Sequence, residues 1–458
     1  MAIRLLSLAA LSVSLVGTAA GAQAGTTWFP GAAFPIGLVV ADENGDGAPD
    51  VLSGNLRRSA SVLLGRGDGR LRRGVAFRAP GEHEGIAAAD LNRDGTADVV
   101  LFDQFDAVSV LLADGHGSLR APVRYAAGRR PWTGALGDLN GDGAPDIVAV
   151  DWGVDDLFSD DDRLVVLQNK GDGTFGAPAF TPAPSTQLPW ALRTADLNRD
   201  GHVDVVETTN ESFVNILLGR GDGTFAPART APTGSHSTAL VISDLNGDGK
   251  PDLAVGEDSG TIDVLLGTGD GSFGPPQGVD EGLLEANELV SADFNADSHR
   301  DLAASPFDAK AGGILAVMLG RGDGTFLPAQ AYTSGGGPGE AQTLATGDLD
   351  RDGRPDLVTE VGSTVSVLEA QPDGSFSTPA RYPTGPRYCV VPYVHNFLLA
   401  RAENAILQGG CRVGRIHRAY SRKYIRGRVI RQKPRAFVEP EPPRGTYVAL
   451  WVSRGPHN

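Results

Sequence analysis

The sequence predicts a mainly β chain, a seven-bladed β-propeller of four-stranded blades followed by a small α+β domain. Three observations carry this. An acidic nine-residue pattern recurs seven times, a glycine-rich turn accompanies each copy, and the 458 residues include 61 Gly and 30 Pro but only 7% aromatics. Such a composition suits a turn-rich β protein far better than a helical bundle.

The recurring pattern is D-x-N/D-x-D-G-x-x-D, with Ser in place of Gly in one copy. It occupies Asp42, Asn44, Asp46, Asp50; Asp90, Asn92, Asp94, Asp98; Asp138, Asn140, Asp142, Asp146; and Asp196, Asn198, Asp200, Asp204. It continues at Asp244, Asn246, Asp248, Asp252; Asp293, Asn295, Asp297, Asp301; and Asp348, Asp350, Asp352, Asp356. The copies start 48, 48, 58, 48, 49 and 55 residues apart, a period that marks a repeated supersecondary unit.

Around each copy run a short apolar strand, the acidic loop, two further strands, a G-D-G-x-F turn and an extended segment with Pro. Four short strands joined by tight turns make one propeller blade, which buries its faces against its neighbours. The extended segment occurs eight times, from residues 28–37 to 376–385, where seven blades need seven. A circular propeller can close by pairing an N-terminal strand with C-terminal strands of the same blade, so one of the two terminal copies is expected to be redundant or frayed.

Side-chain oxygens at positions 1, 3, 5 and 9, with a backbone carbonyl near position 7, suit a hard cation, and Gly at position 6 permits the sharp turn. Calcium is the expected occupant. Turn propensity alone explains one Asp/Asn/Gly cluster but not seven with carboxylates at the same positions. An EF-hand is rejected, because position 12 lacks its Glu and the flanks read as strands. The sixth loop is the weakest copy, since Ser298 replaces Gly.

Residues 26–385 thereby resemble the FG-GAP/VCBS repeat family, the propeller type of integrin α-subunit heads and some fungal lectins. The resemblance implies a calcium-stabilised ring that binds proteins or glycans through loops on one face. The acidic loops and G-D-G turns should share one face. Insertions at 151–162 and 305–313, with Trp132, Trp152 and Trp190, fall at or beside the other. The three Trp are candidate sugar platforms, with packing between blades as the alternative reading. The six Asp of the first insertion read as a solvated loop rather than an extra cation site.

Residues 1–24 read as a cleaved secretory signal: Arg4, an apolar run over 5–16, then Ala20-Gly21-Ala22 and Ala22-Gln23-Ala24. The chain is therefore expected to be secreted or extracellular. Residues 25–385 form the propeller and carry 25 basic against 53 acidic groups, a charge of -28. Residues 386–458 carry 14 basic groups against three Glu, or +11. The overall charge of -16 argues against a general nucleic-acid binder.

In the basic segment, Val391-Pro392, Ala402, Ala405, Gly410, Val413-Gly414, Ser421, Gly427, Val429-Ile430, Gln432, Pro434 and the run 448–455 resemble a PASTA domain. That resemblance implies one helix, expected over 397–408, three strands and association with peptidoglycan. The family's P-G-T after the Q-x-P is replaced here by Ala436-Phe437-Val438 and a Pro-rich stretch. Cys389 and Cys411, the only two cysteines, are expected to form a disulfide, with a metal pair as the runner-up.

The function expected is non-enzymatic recognition of a glycan or protein at the cell envelope. No Ser or Cys nucleophile is paired with a base by a recognisable motif. The rival is a secreted polysaccharide-degrading enzyme built on the same ring.

Overall fold

The computed structural model describes residues 35–55, 59–72, 74–79, 81, 83–103, 105–151, 163–182, 190–280, 286–306, 314–334, 342–361, 364–384, 412–419, 429–433 and 447–453. The segment expected to be an export signal, Trp152, most of both insertions, the helix expected over 397–408, Cys389 and Cys411 lie outside these residues. Among the described residues, no helix is long and apolar enough to cross a membrane.

Seven antiparallel four-stranded sheets follow one another, each made of four consecutive strands. The first comprises Pro35–Ala41, Asp50–Asn55, Ser59–Leu63 and Val75–Arg78. The innermost strands of the others begin at His83, Pro131, Leu192, Ser237, Ala286 and Gln342. Of the eight extended segments, the last supplies Ala380–Pro383 as the outer strand of blade 7. The first reaches the described residues only where the inner strand of blade 1 begins. Among the described residues the ring therefore closes without strand exchange.

The second strand of each blade is buried on both faces, as in Asp98–Asp103 and Asp146–Asp151, where every residue is buried. Both faces are covered because each blade has two neighbours. Seven apolar clusters occupy the seven seams. The closing seam packs Leu38, Val51, Leu63 and Leu71 of blade 1 on Leu349, Val358, Val365 and Val367 of blade 7. Ser53 also donates across it to Glu360. Burial of this kind, at ~25 cal/mol per Å² of apolar surface, is what holds the ring shut. Outer strands such as Val123–Ala126 are mostly exposed.

At the centre of the ring, Arg193 of blade 4 approaches Glu288 of blade 6 at 3.8 Å. Glu288 also accepts the Leu344 N–H of blade 7 at 3.2 Å, so one ion pair links three inner strands.

A second unit holds a three-stranded sheet of Arg412–Ala419, Val429–Lys433 and Tyr447–Ser453. Its central strand is the last in sequence, parallel to the first and antiparallel to the second. Val429, Leu450 and Val452 are its buried apolar residues among those described.

Candidate metal centres and the opposite face

All seven acidic loops join the first strand of a blade to the second, and all share one backbone trace. Position 4 is left-handed throughout: Gly45, Gly141 and Gly247 alternate with Arg93, Arg199, Ala296 and Arg351, whose φ values lie between 58 and 63°. Position 6 is left-handed as well, and Ser298 keeps that conformation at φ 69°. Sequence reasoning anticipated the second requirement and missed the first. A non-Gly residue in this region costs roughly 1–2 kcal/mol, so loops 2, 4, 6 and 7 hold their trace against local preference.

Hydrogen bonds explain how. In every loop but the fifth, the carboxylate at position 1 accepts N–H groups from positions 5 and 6, as Asp90 does from Asp94 (3.0 Å) and Gly95 (2.8 Å). Position 3 accepts from position 5, as Asn92 does at 2.9 Å, and position 5 accepts from position 7, as Asp94 does from Thr96 at 3.0 Å. Position 9 differs. Asp98 is fully buried and accepts Leu91 N–H at 3.0 Å and Ala113 N–H at 2.7 Å, the latter from the start of the blade's G-D-G-type turn.

Asp50, Asp146, Asp204, Asp252, Asp301 and Asp356 likewise accept two N–H groups each, one from the residue after position 1 and one from Gly65, Asn169, Gly219, Gly267, Gly320 and Ala370 in turn. The turns of blades 1 and 4 also reach the preceding blade, Gly69 N–H donating to Leu349 C=O at 3.2 Å and Gly223 N–H to Leu139 C=O at 2.9 Å. The acidic loops and the turns thus share one face.

Burial pushes the Asp50, Asp98, Asp146 and Asp301 carboxyls up to about 6 and Asp356 up to about 7, against the pull of two backbone donors each. Neighbouring carboxylates of the same loop add to the rise. Loop 1 has a further acid, Glu43, where the other loops carry Leu91, Leu139, Leu197, Leu245, Phe294 and Leu349. Glu43 is fully buried, both its oxygens lack a partner, and burial with the charges of Asp50, Asp114 and Asp98 lifts it to about 8. Glu43→Leu removes a buried orphan carboxyl, and denaturant melts should register a gain of about 1–3 kcal/mol.

On the opposite face a second set of buried acids anchors loops. Asp103 holds His83 Nδ1 at 2.5 Å, Arg124 Nε and Nη2 at 3.2 and 3.0 Å, and Ser109 Oγ at 3.3 Å. Hydroxyl and imidazole both address the carboxylate, an arrangement that clamps rather than activates a nucleophile. Asp151 accepts Arg129 N–H at 2.6 Å, Arg130 N–H at 3.0 Å and Arg163 Nε–H at 2.9 Å. Glu257 accepts Ser235 N–H at 2.7 Å, while Asp263 takes Gly234 N–H at 2.6 Å. Asp103, Asp151 and Glu257 each stand five residues after a position-9 Asp, a spacing that sequence reasoning passed over.

Burial and a shared hydrogen bond with Asp263 raise Glu257 to about 7. A raised acid favours the folded state most below its unfolded value near 4.5, and this stability drains away as pH climbs to about 7. Glu257→Gln should flatten that part of the stability–pH curve, by on the order of 2 kcal/mol between pH 5 and 8, in chemical denaturation.

These clamps display Phe105, 51% exposed, on a turn where Asp106 takes φ 54°. Asp106 N–H donates to Arg129 C=O at 3.0 Å, and Arg124 Nη2 reaches Phe105 C=O at 3.3 Å and Asp106 Oδ1 at 2.9 Å. Trp132 and Trp190, by contrast, are half-buried at matching positions at the start of the inner strands of blades 3 and 4. Phe105, an exposed aromatic among the described residues, is one that the sequence reading did not single out.

The sequence matches the FG-GAP-like repeat at residues 42–101, 90–149, 153–207, 196–255, 244–304 and 293–359. The chain belongs to the FG-GAP-like repeat family. No curated protein matches this FG-GAP-like chain. Among solved structures it resembles an Agrocybe aegerita lectin described as recognising non-reducing terminal N-acetylglucosamine. There the identity is 21%, with 76% of this chain and 94% of that one covered at a TM-score of 0.55. It also resembles the BP39L lectin of Burkholderia pseudomallei, at 16% identity, 78% and 100% coverage and a TM-score of 0.53. At these identities the likeness is one of fold.

The FG-GAP-like loops fit a hard divalent cation by their donor chemistry. Their side-chain ligand atoms are oxygens throughout, and carboxylate oxygens of Asp348, Asp350 and Asp352 lie within 4.8 Å of one another. In loop 5, Asp244 Oδ1 is buried without a hydrogen-bond partner. Positions 1, 3, 5 and 9 would hold the ion, which would supply the charge that these acids lack.

Proposed function

We propose that this chain is an exported, non-enzymatic binding protein whose calcium-stabilised propeller recognises a glycan or protein at the cell envelope. The observation that carries the reading is a rigid ring with loops anchored by buried acids and an aromatic displayed on the face away from the acidic loops. Loops on a rigid scaffold are where binding residues concentrate. The lectin-like propellers among its structural neighbours agree with a glycan as the ligand. The basic C-terminal segment, with its PASTA-like motifs, would add association with an anionic wall polymer such as peptidoglycan.

A glycan array probed with the full chain in calcium and again in EDTA tests the central claim. Binding in calcium, lost in EDTA and reduced roughly tenfold by Phe105→Ala, is the expected result. Blank arrays in both conditions, with no extracellular protein captured, would refute it. Co-sedimentation with purified peptidoglycan tests the tail, and equal recovery with a charge-matched inert polymer would remove that part.

A further inference from the structure

Position 4 of the acidic loops carries Arg in loops 2, 4 and 7, and each of these arginines leaves its own blade. Arg93 Nη2 donates to Asp142 C=O of loop 3 at 2.8 Å and stands 3.7 Å from Asp142 Oδ1. Arg199 Nη2 donates to Gly249 C=O of loop 5. Arg351 Nη2 donates to Asp46 C=O of loop 1 at 3.4 Å, across the closing seam.

The three guanidinium groups occupy one equivalent place. A Cβ built on the position-6 glycine of the receiving loop would lie 3.5 Å from Arg351 at Gly47, 3.3 Å from Arg93 at Gly143 and 3.1 Å from Arg199 at Gly249. The matching glycines of the donor loops, Gly95, Gly201 and Gly353, have nothing within 4 Å of such an atom. Loop 6 receives no arginine, because loop 5 carries Gly247 at position 4, and loop 6 is the one that has Ser298 at position 6.

The geometry points to two classes of metal loop: loops 1, 3 and 5, capped by a neighbour's arginine, bind calcium more weakly than loops 2, 4 and 6, and loop 7 joins the weaker class because its own Arg354 pairs with Asp352. This rests on the calcium reading above and adds residues that tune it. A guanidinium is permanently charged, and here it sits against backbone shared with the loop's ligands. Coulomb repulsion between a unit charge and a divalent ion one side-chain width away, in a water-like dielectric with salt, weakens binding by about threefold to tenfold. The same three contacts tie the loops in pairs, 2 to 3, 4 to 5 and 7 to 1.

Equilibrium dialysis of the full chain against radiolabelled calcium tests this. The expected result is a tighter class of three ions and a weaker class of four, with the gap narrowing at high salt. Arg93→Gln, Arg199→Gln and Arg351→Gln combined should leave only loop 7 in the weaker class, and Arg93→Gln alone should move a single ion into the tighter class. The single variant serves if the triple variant fails to fold, as judged by its melting curve. Seven equivalent sites in the unaltered chain, or a weak class indifferent to these substitutions, overturns the arginine assignment and leaves calcium binding standing. A chain that takes up no calcium removes both.

Discussion

Excess EDTA lowers the melting temperature of this chain by about 15 °C relative to the same protein in about 2 mM calcium, provided that all seven loops are filled. Extracellular calcium modules bind with dissociation constants on the order of 10⁻⁴ M, so each filled loop adds about 1.8 kcal/mol at that concentration. Over seven loops this comes to ~13 kcal/mol, comparable with the whole stability of an ordinary domain. The driving force is charge: residues 25–385 carry -28 before any ion binds, and much of that is packed into one face. Differential scanning calorimetry checks it, and a melting point indifferent to chelator would leave the acidic loops as turns alone.

Asp98→Ala and Asp94→Ala belong to one loop yet should behave differently. Asp98 is fully buried with two backbone donors, so its removal strands two N–H groups and costs about 3–5 kcal/mol whether or not calcium is present. Asp94 is exposed and accepts N–H groups only within its own turn, so its loss should register chiefly in calcium. Urea melts of both variants with and without EDTA make the comparison. Equal penalties for Asp98→Ala and Asp94→Ala in EDTA would deny position 9 its separate structural part.

Much of the ring was legible along the chain, because oxygen ligands and strand alternation both have short, fixed spacings. The period of the acidic loops predicted seven blades, and seven four-stranded sheets are present. Ser298 stood out as the residue that must take positive φ, and it does. What escaped notice has partners far away in sequence or on another blade. The second role of Asp98 depends on an N–H fifteen residues on, at Ala113, and the reach of Arg351 depends on Asp46, on the far side of the closing seam.

Phe105 was passed over in favour of Trp132 and Trp190 because residue type favours Trp as a platform. Exposure is decided by the clamp of Arg124 on Asp103 and Asp106, which holds the 105–106 turn outward.

The chain's own order of residues determined the number of blades, the position of every acidic loop and the separation of charge between its two parts. These follow from local chemistry, since a turn or a ligand set is complete within about ten residues. Only the folded ring decided how blade 1 meets blade 7, which acids become buried anchors and which loops a neighbouring arginine covers. Those outcomes depend on surfaces brought together by seven seams of apolar burial, and no spacing within one repeat encodes what the next repeat will place against it.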